Sequence, residues 1–138
     1  MASPRVVLCV DGEPEILLGY RFVLSIAGYE VVPANSAEEA IQFLTDRSVD
    51  IVLLNQSLPD LPGTRLSQKM KAIKPHVPIV LITQSPERPP DGSNFVDLLV
   101  SRDTYPTEFL AAIGRIVPFQ PPVEPTAATS RAGWGRAI

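Results

Sequence analysis

Short β-branched runs alternate with longer amphipathic stretches through residues 1–117. Val6-Val7-Leu8-Cys9-Val10 is apolar at every position, which predicts a strand covered on both faces, as in a parallel sheet. A helix follows. Pro14 suits its first turn, Ile16, Leu17, Tyr20, Val23, Leu24 and Ala27 recur at helical spacing, and Gly28 supplies the stop. A second strand is predicted at 29–32. Ser36 with Glu39 three positions on is a capping box, opening a helix through Ala40, Ile41, Phe43 and Leu44. The run 51–54 is a third buried strand, ending at Asn55. After a loop come a helix carrying Leu66, Met70 and Ile73, and a fourth strand at 78–82. Pro86, Pro89 and Pro90 then forbid an ordinary helix before a fifth strand at 95–100. The last helix starts near 104–106 and buries Phe109, Leu110, Ile113 and Ile116.

Strands alternating with helices predict a parallel sheet covered by helices on both faces. In such sheets the functional crevice lies beyond the carboxyl ends of the strands. Those ends are Asp11 with Gly12 and Glu13, Asn55, Thr83 and Arg102. Four polar positions from well-separated strands therefore converge on one place.

Composition narrows the function. The chain has 138 residues, 45% hydrophobic and 20% charged, as expected of one globular domain. Its net charge of -3 and pI near 5.1 leave no basic field for nucleic acid. No apolar run approaches the ~20 residues of a membrane span, and the five apolar residues before Asp11 are too few for a signal-peptide core. The one cysteine, Cys9, has no intrachain disulfide partner. These features lead to the expectation of a reduced, cytoplasmic protein without membrane or nucleic-acid contacts. Prolines cluster again at Pro118, Pro121, Pro122 and Pro125, and 118–138 is expected to be a disordered tail. Trp134 with Arg131 and Arg136 is read there as an end without a role.

In order and spacing the landmarks resemble the receiver domains of bacterial two-component response regulators. They are Val10-Asp11-Gly12-Glu13-Pro14, Gly28-Tyr29-Glu30-Val31, Val49-Asp50-Ile51-Val52-Leu53-Leu54, Leu58-Pro59-Asp60-Leu61-Pro62-Gly63 and Pro78-Ile79-Val80-Leu81-Ile82-Thr83. The resemblance implies a flavodoxin-like, doubly wound α/β fold with five parallel strands in the order 2-1-3-4-5. The proline-bearing segment after Thr83 implies that the fourth helix is shortened or absent. Members of the family accept a phosphoryl group from a histidine kinase on an aspartate that ends the third strand. They hold magnesium with that aspartate and an acidic pair after the first strand, and contact the phosphoryl oxygens with a Ser/Thr and a Lys.

Carried over residue by residue, the phosphoacceptor position is Asn55 and the acidic pair is reduced to Asp11-Gly12, with Glu13 adjacent. Thr83 keeps the hydroxyl, the Lys-Pro dipeptide becomes Arg102-Asp103, and the switching aromatic on strand five becomes Leu99. An amide oxygen cannot form an acyl phosphate, and magnesium prefers several charged oxygens. The expectation is therefore a pseudo-receiver, not an enzyme. It binds magnesium weakly or not at all, with Asp11 the one remaining candidate ligand, and acts through protein contacts, a histidine kinase among the candidate partners. Within the crevice Asp11 is expected to pair with Arg102 and to accept a hydrogen bond from Asn55. Two alternatives stay open: phosphoacceptance by another acid, and a small-molecule sensor at the crevice. Asp60 is read as a turn residue, His76 as surface, and Cys9 as a small buried apolar side chain.

Overall fold

Five strands, β1 (Val6–Val10), β2 (Glu30–Ala34), β3 (Ile51–Asn55), β4 (Ile79–Thr83) and β5 (Leu98–Ser101), form one parallel sheet in the order β2-β1-β3-β4-β5. The computed structural model describes residues 4–118. Four helices connect the strands: α1 (Pro14–Ile26), α2 (Ala37–Asp46), α3 (Gly63–Ile73) and α4 (Pro106–Ile116).

The two-residue period of the strands sorts the apolar side chains into two cores. Leu8, Val10, Val52, Leu54, Ile79 and Leu81 face α2 and α3, where Ala40, Leu44, Leu66 and Met70 cover them. Val7, Cys9, Ile51, Leu53, Val80 and Ile82 face the other way, under Leu17 and Leu24 of α1 and Phe109 and Ile113 of α4. With both faces covered, β3 and β4 are buried along their whole length, which is why their sequences show no alternation.

Local signals set most boundaries. Ser36 Oγ accepts the Glu39 N–H at 3.2 Å, and Glu39 Oε1 accepts from the Asn35 N–H at 2.8 Å. The capping box thus forms, with its return bond one residue earlier than the standard pattern. Gly28 takes φ +100° just past α1, a conformation that costs other residues strain.

Four expectations need correction. β2 lies at Glu30–Ala34 instead of 29–32; it runs through Pro33, which an edge strand tolerates because no neighbour needs its missing N–H. β4 is shifted by one residue, to Ile79–Thr83. Ile73, expected in the core, is 39% exposed at the last turn of α3. β5 begins at Leu98, because Phe95 is drawn into a 3₁₀ turn (Ser93–Phe95) that follows Gly92 at φ +87°.

That turn is the only helical structure between β4 and β5 among the described residues, so the family's fourth helix is absent there. The segment packs on α3 instead, with Gly92 against Thr64 and Val96 in the α2/α3 core. The expected tail at 118–138, including Arg131, Trp134 and Arg136, lies outside the described residues apart from Pro118.

Candidate functional site

The parallel strands deliver Asp11, Asn55 and Thr83 to one edge of the sheet, and all three side chains are buried. Asp11 follows β1. Its Oδ1 accepts the Glu13 N–H at 3.0 Å, so the carboxylate caps the entry to α1. Its Oδ2 accepts from Asn55 Nδ2 at 3.2 Å. Beside a carboxylate only the NH₂ end of an amide can turn inward, which leaves Asn55 Oδ1 to accept the Ser57 N–H at 3.4 Å.

Gly12 and Glu13 contribute no carboxylate beside Asp11. Gly12 has no side chain, and a Cβ there would stand 3.0 Å from Pro59 Cδ. Glu13 is exposed and starts α1 through its backbone carbonyl. Among the described residues no three His, Cys, Asp or Glu side chains gather as metal ligands.

Thr83 ends β4 in register with Ser101 of β5, and its carbonyl accepts the Arg102 N–H at 3.0 Å. A crevice of about 230 Å³ opens between these strand ends, lined by Asn55, Gln56, Ser57, Thr83, Gln84 and Arg102. The expected Asp11–Arg102 pair is not formed. The ion pairs among the described residues are Arg5–Asp50, Arg47–Glu30 and Lys71–Asp97; Arg102 is exposed. Asp11 is already satisfied by two N–H donors deep at the strand end, and Arg102 sits three strands away, beyond β3 and β4. Leu99 is half-buried against the α2/α3 core, paired with Leu81.

Two side chains hold the loops around the site: Gln56, which the sequence did not flag, and Asp60, read there only as a turn residue. Gln56 Oε1 accepts the Thr64 N–H at 3.0 Å, capping α3 where the N-cap residue, Pro62, offers no side-chain acceptor. The α3 entry lies so close to β3 that a Cβ on Gly63 would stand 2.6 Å from the Asn55 carbonyl oxygen. Asp60 accepts the Ala37 N–H at 2.9 Å and the Glu38 N–H at 3.2 Å, tying the β3–α3 loop to the start of α2. The Ala37 N–H first, with the Glu38 N–H, holds its carboxyl below the ordinary range. Such caps between segments distant in sequence leave no local spacing to find. His76 is exposed and Cys9 buried, as expected; burial first, and then the nearby Asp11 charge, pushes the Cys9 thiol upward.

The model of the response regulator receiver domain matches residues 7–98. The chain belongs to that family. Receiver domains are modules of two-component signalling. Among curated relatives, the phosphate regulon transcriptional regulatory protein PhoB of Pseudomonas aeruginosa is 29% identical over 106 residues, covering 75% of this chain and 45% of PhoB. The transcriptional regulatory protein GlrR of Escherichia coli is 32% identical over 83 residues, 59% of this chain and 18% of GlrR. This chain thus spans less than half the length of either relative. Among solved structures, a CheY-like receiver from Methanospirillum hungatei superposes with a TM-score of 0.76 at 25% identity, covering 82% of this chain and 93% of that one. TrrA of Thermotoga maritima, crystallised in complex with the histidine kinase ThkA, gives 0.77 at 25% identity, covering 82% and 98%. The flavodoxin-like fold is thereby established. No helix among the described residues is long and apolar enough to cross a membrane.

Proposed function

We propose that this receiver domain signals through protein contacts without taking a phosphoryl group on Asn55. The hydrogen bond from Asn55 Nδ2 to Asp11 Oδ2 carries this reading. At the position where family members place the acceptor acid, the chain presents a neutral amide, and its N–H supports the remaining carboxylate. A phosphoryl acceptor needs an anionic oxygen and a metal to neutralise developing charge. The donor set does not fit magnesium: a lone carboxylate with both oxygens engaged, beside an NH₂ group, lacks the hard charged oxygens that displace its waters.

Acceptance by another acid has no support in the geometry of Asp60, whose two carboxylate oxygens are spent on α2. The partner reading rests on α1, where Leu18, Phe22 and Ile26 are 67%, 68% and 71% exposed at i, i+4 and i+8. An apolar stripe of that form fits a helical partner, and TrrA's complex with a histidine kinase makes a kinase the candidate. The experiment is an amide NMR fingerprint with magnesium and beryllofluoride, alongside intact mass after exposure to acetyl phosphate. An unchanged spectrum and mass are expected. Phosphate gain at any acid, or shifts centred on Asp11, Asn55 and Thr83, would overturn the proposal.

A further inference from the structure

Beside the crevice, α1 and α4 stand apart over the carboxyl ends of β4 and β5. The gap is a solvent-open cavity of about 280 Å³, near the lower end of small-ligand sites. Its floor is Ile82 and Val100, and its wall is the ring of Phe109 stacked on Tyr20 at a centroid distance of 5.3 Å. Gly19 lines the opening, and a Cβ placed there would meet nothing within 4 Å. A glycine inside a helix forfeits helix propensity relative to alanine; at this position it leaves the mouth clear.

The cavity carries one cation. Arg102 lines it and makes no ion pair among the described residues. Burial, followed by the Asp11 charge, pushes the Tyr20 hydroxyl up to about 12, and Arg102 offsets only part of the rise. Glu15, the one acid on the lining, stays exposed on α1 at the rim. An apolar slot walled by two rings, with a free planar cation at its edge, matches a flat apolar body bearing an anionic group.

We propose that this cavity binds a small aromatic carboxylic acid, the ring against Tyr20 and Phe109 and the carboxylate on Arg102. Arg102 also lines the crevice with Asn55 and Thr83. A bound acid would draw the guanidinium toward the cavity and so change the crevice without phosphorylation.

The test is an NMR titration of the full chain with phenylacetate and, as its neutral counterpart, benzyl alcohol. Saturable shifts are expected at Gly19, Ile82 and Val100 with phenylacetate, and about tenfold weaker binding of benzyl alcohol, the size expected for one charge-assisted contact. Arg102→Gln should erase that difference. Gly19→Leu should abolish binding without lowering the melting temperature, since leucine is the better helix former and the space above position 19 is open. Equal binding of the two probes, undiminished binding to Gly19→Leu, or shifts confined to Leu18, Phe22 and Ile26 would overturn the proposal.

Discussion

Asn55 and Asp11 illustrate how one atom changes what a buried site tolerates. The amide donates to the carboxylate at 3.2 Å; an aspartate at position 55 would set two carboxylates at that spacing. Like charges so close raise one pKa and disfavour the folded, doubly ionised form. Asn55→Asp should therefore lose about 1–3 kcal/mol at neutral pH, through the lost hydrogen bond and the repulsion. The sign of its pH dependence follows: with a folded pKa above the unfolded one, the penalty is full above the folded value and fades as pH falls. Urea unfolding near pH 7 and near pH 5 measures this, and a deficit that grows on acidification would contradict it. Asn55 and Gly12 were read in the sequence as departures from what the resemblance implies at those positions. The Asp11–Asn55 bond is as expected, and the Asp11–Arg102 pair is not, because side-chain reach across strands is a tertiary quantity.

At the scale of elements, the loop after β3 fastens two helices. Asp60 holds the Ala37 and Glu38 N–H groups at the start of α2, with its carboxyl depressed below the ordinary value by those bonds. A depressed carboxylate contributes above its unfolded pKa and stops contributing as pH falls through the folded one. Asp60→Asn should thus speed hydrogen exchange at Ala37 and Glu38 at neutral pH, and the difference from wild type should vanish well below about pH 4. Gly63→Ala is a sharper perturbation, because the Asn55 carbonyl and the Gln56 Cα, both backbone, cannot move aside. It should cost about 1–3 kcal/mol, the range for overpacking, read as a lower melting temperature. The strands and the first turns of α1, α2 and α4 were legible because apolar runs, helix-starting prolines and the Ser36–Glu39 capping box are local. Phe95 was misplaced because an apolar residue beside a proline-bearing loop fits a strand or a turn equally well.

Across the whole molecule, one face is unusual. The outer side of α1 exposes Leu18, Phe22 and Ile26, whereas the inner side buries Leu17 and Leu24. Both stripes lie on the same 13-residue helix, so the apolar spacing that announced a core-facing helix also concealed a second apolar edge. Phe22→Asp should leave thermal stability within about 0.5 kcal/mol of wild type, as for surface positions in general. The same change should weaken capture by a histidine kinase helical bundle; unaltered capture in a pull-down would remove α1 from the contact.

The sequence by itself determined the order of strands and helices along the chain, the burial of β1 and β3, the residues at the strand ends and that the fourth helix is shortened or absent. Each of these follows from periodicity, proline chemistry or the rule that parallel strands present their carboxyl ends together. Only the tertiary structure decided what those residues do to one another. It matched Asp11 with Asn55, left Arg102 facing a cavity between α1 and α4, and set Gln56 and Asp60 as caps on α3 and α2. The physical reason is that hydrogen bonds and cavities depend on distances of a few tenths of an ångström between segments far apart in the chain, and no local pattern encodes them.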